Sequence, residues 1–172
     1  MDRVGPARLT LSFRYAGPED IDVLVALVES AYRGESSRTG WTTEADLLDG
    51  QRTDREAVAE LIGRDASVVI VAEQGGPIGC FHLERRADGA AYFGMFAVAP
   101  GEQGNGIGRS LIGVAAAQAE DWGCSRIDMT VIRQREDLIA WYHRLGFEPT
   151  GEVQPFPYGD ERFGVPKRED LE

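Results

Sequence analysis

The stretch from Tyr92 to Leu111, YFGMFAVAPGEQGNGIGRSL, restricts this chain more than any other. It predicts a strand, a proline stop, a glycine-rich loop and the opening turns of a helix. Phe93, Met95, Ala97 and Ala99 are expected on one face of the strand, with Tyr92, Phe96 and Val98 on the other. Both faces are apolar, as in an interior strand covered on two sides. Pro100 removes a ladder donor and ends the strand. Gly104, Gly106 and Gly108 then open a helix with no β-carbons in the way, so successive amides can converge on one anion. The helix dipole favours negative charge at the same place, and Arg109 adds a fork of donors suited to phosphate oxygens. A tight turn is the simpler account of any glycine loop. Alternate glycines set directly between an apolar strand and a helix favour a diphosphate cradle.

The spacing excludes two common cradles. A P-loop needs G-x-x-x-x-G-K-[ST], and no lysine follows these glycines. The dinucleotide fingerprint G-x-G-x-x-G, counted from Gly104 or Gly106, puts Arg109 or Leu111 where its last glycine should be. Gln103-Gly104-Asn105-Gly106-Ile107-Gly108 instead resembles the [QR]-x-x-G-x-[GA] loop of the GNAT superfamily of N-acetyltransferases. Ile139-Ala140-Trp141-Tyr142-His143-Arg144-Leu145-Gly146-Phe147 is similar to that family's second motif, A-x-x-[LFW]-Y-x-[KR]-x-G-F. The resemblance runs from about Leu9 to Glu152. It departs from the pattern at Arg135, where many members carry an asparagine.

What the resemblance implies can be stated residue by residue. The fold would be α/β, a mixed and mostly antiparallel sheet of six to seven strands with helices on both faces. Acetyl-CoA would be the co-substrate, with no metal. Its pyrophosphate would sit on Gln103, Gly104, Asn105, Gly106, Ile107, Gly108 and Arg109, and its pantetheine arm along the backbone of Phe96, Ala97 and Val98. Arg135 would stand where the asparagine meets the cofactor's outer half. A backbone N–H near Phe96 or Ala97 would polarise the acetyl carbonyl. Tyr142 takes the place of the general acid. A phenol with a pKa near 10 is protonated at neutral pH and can supply a proton to a departing thiolate; packing beside Trp141 and Phe147 is the plainer account of the same residue. His143, one step along the helix, points roughly 100° away and reads as a surface residue.

In chain order, Leu9–Tyr15 alternates like a first strand, and Pro18-Glu19-Asp20 marks a helix start before an apolar stripe. Glu44–Leu48 and Asp54–Ile62 are predicted as helical pieces. Ser67–Glu73 is a buried strand, Gly75-Gly76 a hairpin turn, Ile78–Arg85 the returning strand, and Asp88-Gly89 a second turn. After the glycine-loop helix come strands at Arg126–Ile132 and Phe147–Val153, flanking a helix at Asp137–Arg144. One domain over residues 1–172 is expected, its core at about 9–153 and its tail, 154–172, poorly patterned. Whether a seventh strand exists is left open.

Acceptor chemistry is expected in the segment from Tyr32 to Glu44, which mixes aromatics, hydroxyls and carboxylates without helical period. There Tyr32 and Trp41 are candidate walls, and Glu35 and Glu44 candidate bases for a small amine. A solvated loop with a capped helix is the plainer reading of the same residues. His82 could act through a water or sit at a core edge. Cys80 and Cys124 have no metal-ligand spacing and read as free thiols, which fits a reducing cytoplasm. A net charge of −11 argues against nucleic acid, whose phosphates demand a basic face. That surplus acid could steer a cationic amine or serve solubility alone. No apolar run approaches the roughly 20 residues of a membrane span, and the N-terminus lacks a secretory core. A non-catalytic acyl-CoA sensor and a transferase for longer acyl groups are the alternatives. A homodimer is left open.

Overall fold

The computed structural model describes residues 9–33, 35–158 and 164–171. Its main sheet has five strands in the order β1 (Ser12–Tyr15), β3 (Ser67–Glu73), β4 (Pro77–Arg85), β5 (Ala90–Val98) and β6 (Arg126–Asp128). All neighbours are antiparallel except β5 and β6. A separate two-stranded ladder joins β2 (Leu48–Asp49) to β7 (Val165–Pro166). The mixed α/β class matches expectation, with fewer strands in the main sheet than the six to seven foreseen.

Helices cover both faces. α1 (Ile21–Tyr32) and α2 (Arg55–Gly63) pack on one side, where Leu24, Val28, Ala31 and Val58 meet Val69, Val71, Cys80 and Ala97. α3 (Ile107–Asp121) covers the other, laying Ile107, Leu111, Ala115 and Ala119 on Ile70, Phe81, Leu83 and Phe93. That stripe repeats every four residues, as a helix face must. Arg14 fixes α1 to the sheet by a bidentate pair with Asp20 at 2.7 and 2.8 Å and a bond to Glu73 at 3.0 Å. α2 begins on Asp54, whose carboxylate accepts from Ala57 N at 2.8 Å.

Three expectations are corrected. Glu44–Leu48 is not helical: Ala45–Leu47 form a turn that feeds β2. Phe147–Val153 belongs to no ladder among the described residues and bends at Gly151, whose φ is 85°, and only Arg126–Asp128 of the foreseen strand 126–132 is paired. Apolar alternation gives these segments the look of strands, but a strand is defined by a partner, which alternation does not supply. The third concerns β5. Cys80 faces Ala97 and His82 faces Gly94, so three steps of β5 answer two of β4. Met95 takes a positive φ of 45° at this bulge. The extra residue reverses the side-chain alternation, so Phe96 and Val98 share the α3 face with Phe93 while Met95 and Ala97 turn to α1.

Candidate active site

The site begins where the sheet comes apart. β5 and β6 are paired only at Ala90, Ala91 and Tyr92. Beyond Tyr92 the β5 edge from Phe93 to Val98 has no strand partner on that side among the described residues. Parallel strands that part in mid-sheet leave a cleft at their carboxyl ends, and backbone groups along its wall can bond an extended ligand as an added strand would. The bulge lies in this wall. Its two carbonyls are held from the α1 face: Cys80 Sγ donates to Met95 O at 3.5 Å, and the Tyr32 hydroxyl donates to Phe96 O. Burial pushes the Cys80 thiol up to about 12, so it stays a neutral donor.

At the carboxyl end of β5, Pro100–Glu102 make one tight turn and the glycine loop follows. Gly104 and Gly106 adopt φ of 86° and 79°, the left-handed region open to glycine. A β-carbon at either would meet nothing within 4 Å, so the space over the loop is open. Gly106 O accepts the first helical bond from Ser110 N at 3.0 Å, which leaves the amides of Ile107, Gly108 and Arg109 as the unpaired first turn of α3. Arg109 is exposed and has no ion pair among the described residues. Ile107 contributes its backbone only, because its side chain is core. Gly108 is small for a second reason: a β-carbon there would stand 3.3 Å from Phe96 Cζ and 3.4 Å from Trp141. A diphosphate therefore fits these residues, with amides, dipole and one guanidinium on an open concavity.

Gln103 has a different task from its neighbours. Its Nε2 donates to Val98 O and Thr42 Oγ1, both at 2.9 Å, while its Oε1 accepts from Trp41 N at 2.8 Å. The side chain thus ties the loop to the end of β5 and to the segment after α1. Arg135 ties the same segment from the far side, donating to Thr42 O at 2.8 Å from a buried position.

α4 (Glu136–Arg144) brings the second motif to this place. Acids in its first turn and His143 and Arg144 in its last complement the helix dipole. Trp141 stacks on Phe96 with centroids 6.0 Å apart and lies 5.7 Å from Trp41. Tyr142 is 8 % exposed, edge-on to Trp141 at 5.1 Å and to Phe147 at 5.6 Å, and 6.5 Å from Phe96. Its hydroxyl makes no hydrogen bond to the described residues. Burial, and next the neighbouring Tyr32, hold this phenol well above its ordinary range.

The acceptor-side candidates fare differently. Tyr32 is buried, its hydroxyl spent on the bulge and its pKa pushed up to about 12 by burial, so it is no open wall. Trp41 is 38 % exposed and remains available. Glu44 does not line the cleft as an open carboxylate: it is buried, with Arg33 Nη1 at 2.6 Å and Arg52 Nε at 3.4 Å on the same oxygen. The side chain of Glu35 lies outside the described ones. His82 is buried against Ser67 Oγ at 2.7 Å, and burial lowers its pKa to about 4. Sequence reasoning did not single out Arg52, whose guanidinium stands 5.2 Å over the Tyr32 ring. It sits in a polar loop with no motif, and nothing local distinguishes it from a solvated arginine.

The profile of the Acetyltransferase (GNAT) family matches residues 26–147. A mycothiol acetyltransferase of Tsukamurella paurometabola is 29% identical over 138 residues, covering 77% of this chain and 46% of the relative, so the chain spans less than half of that protein. A transcriptional regulator from Bacillus halodurans C-125 superimposes with TM-score 0.65 at 21% identity, covering 86% of this chain and 99% of that one. The structure of AAC(6')-Iy with the bisubstrate analogue CoA-S-monomethyl-acetylneamine gives TM-score 0.64 at 16% identity, covering 86% and 97%. At these identities the structural likenesses establish fold alone.

Proposed function

This chain belongs to the GNAT acetyltransferase family, and from that premise we propose that it moves an acetyl group from acetyl-CoA to the primary amine of a small molecule by direct attack, with Tyr142 as general acid. One observation carries the reading. The cleft opened where β5 leaves β6 has unpaired helix amides at its mouth, a bulge in its wall and a buried, unbonded phenol beside that bulge.

Gly104 to Arg109 would hold the pyrophosphate, and the free edge of β5 the pantetheine arm. Acetyl-CoA supplies the activated thioester. Burial keeps Tyr142 Oη protonated through the working pH range, and the same desolvation would raise the proton affinity of a thiolate leaving beside it, so the phenol can donate as the C–S bond breaks. Trp141, Phe96 and Phe147 exclude water around that hydroxyl, so the proton has few competing acceptors. The tethers from Gln103 and Arg135 fix the Trp41–Thr42 segment against the cleft, where an acceptor would enter. Of the two candidate carboxylates, Glu44 is committed to guanidiniums, which leaves Glu35 as the base in this reading.

Incubation with acetyl-CoA and a panel of primary amines, followed by mass spectrometry, tests the proposal. Acetylated product that requires the protein is expected. Tight acetyl-CoA binding with no acetylation of any amine would favour a non-catalytic acyl-CoA sensor.

A further inference from the structure

We propose that Arg52 binds a carboxylate on the acceptor, so that the amine acetylated belongs to an amino acid or to a compound pairing the same two groups. The inference rests on the transferase reading above and specifies its substrate.

Position is the first argument. Along β5 the order is Tyr92, the bulge at Met95 and Phe96, Val98, and then the glycine loop. A co-substrate anchored on the loop and laid along β5 presents its reactive end at the bulge, so the acceptor must approach from beyond it. Arg52 stands there. Its guanidinium lies 5.2 Å over the ring of Tyr32, whose hydroxyl holds the bulge carbonyl of Phe96. It is also within electrostatic reach of Tyr92 and of the Tyr142 phenol.

Its anchoring leaves the fork without a hydrogen-bond partner. The amides of Arg52 and Thr53 both donate to Glu29 Oε1, at 2.5 and 2.7 Å, which locks the backbone. Nε faces Glu44 at 3.4 Å. The two terminal nitrogens make no hydrogen bond among the described residues, and the side chain is 37 % exposed. A guanidinium gripped by stem and Nε, with its paired Nη groups free, matches the planar bidentate geometry of a carboxylate. Neutralising Glu44 does not account for this fork, because Arg33 already meets that carboxylate at 2.6 Å.

Charge agrees. Arg33, Arg52 and Arg135 gather around Tyr32 with Glu44 and Glu29 as their inner carboxylates, and Asp137 touches Arg135 from the exposed rim. In a chain of net charge −11, this corner carries no acidic surplus to attract a polyamine. Three guanidiniums meet three carboxylates there, so the corner is close to neutral among the described side chains, and the Arg52 fork is the group an acceptor carboxylate would meet.

Acetylation kinetics with matched probes, each common amino acid against its α-carboxamide, test the inference. The wild type should favour the acid roughly tenfold or more in kcat/KM. Arg52→Gln should bring that ratio near one without changing the KM for acetyl-CoA. Arg52→Lys, which keeps a cation opposite Glu44, should retain part of the preference. Melting curves of the variants separate misfolding from lost recognition, and the wild-type comparison needs no variant at all. Equal use of both probes, preference for the amide, or an acid preference that survives in Arg52→Gln overturns the carboxylate site while leaving the transferase reading intact. Failure to acetylate any amine overturns both.

Discussion

At Tyr142 the surroundings decide which proton chemistry is open to the side chain. Packing among Trp141, Phe96 and Phe147 makes the phenolate costly, so the residue can donate but cannot serve as a base near neutrality. Tyr142→Phe should therefore lower kcat by roughly 10²- to 10⁴-fold and leave acetyl-CoA affinity within about threefold, read by steady-state kinetics and calorimetry. His82 gives a stability prediction of definite sign. Its folded pKa, lowered to about 4 by burial, lies below the unfolded value near 6.5, so the folded state binds fewer protons between them. The stability it contributes is full above about pH 6.5 and drains away as pH falls toward 4, amounting to roughly 3 kcal/mol. In denaturant titrations His82→Gln, which keeps a partner for Ser67, should flatten that slope; an unchanged slope would show that His82 is not a neutral buried ring. Glu44 makes the opposite point about legibility. Its identity as a carboxylate near an aromatic segment was readable, but Arg33 and Arg52, eleven and eight residues away, become its partners only through the turn after α1. Removing that charge with Glu44→Gln should cost about 3–5 kcal/mol of stability, because the buried Arg33 guanidinium loses the carboxylate 2.6 Å away.

Among the elements, the glycine loop and α4 were legible as structure because their spacing constrains the backbone: alternate glycines before a helix, and a helix ended by Gly146. The bulge was not. Nothing in GMFAV says that one residue will be skipped by the opposing strand, and period-two reasoning then assigns Met95 and Phe96 to the wrong faces. The segments at 44–48 and 147–153 failed for the related reason that pattern shows which residues prefer burial but not which partner pairs with them. The foreseen weakness of the tail was only partly apt, since Val165–Pro166 pairs with β2 and Lys167 Nζ donates to Ala45 O at 2.7 Å. The loop also yields a direct test. Gly106→Val forces a β-branched side chain to φ 79° and fills the open space over the amides. Coenzyme A affinity, measured by calorimetry, should fall by at least a hundredfold. Binding within a few-fold of wild type would show that the loop is not the phosphate site.

For the molecule as a whole, two cores on opposite faces of one sheet hold the cleft between β5 and β6 open at one end. Nothing in the described residues fills the gap between the separating strands with a further ladder, so a ligand bound there adds stability by mass action. Acetyl-CoA at 100 times its Kd should contribute about 2.7 kcal/mol, which raises Tm by roughly 5–10 °C for a chain of this size. The acidic balance of the whole chain does not describe the start of α3, where unpaired amides and the exposed Arg109 favour an anion. An amide-resolved NMR titration with coenzyme A tests the central claim most directly. The account predicts that the largest shifts fall on Gly104 to Arg109 and on Phe96 to Val98, with α2 and β1 quiet. Saturable binding whose shifts lie elsewhere, with the loop amides unmoved, would contradict it.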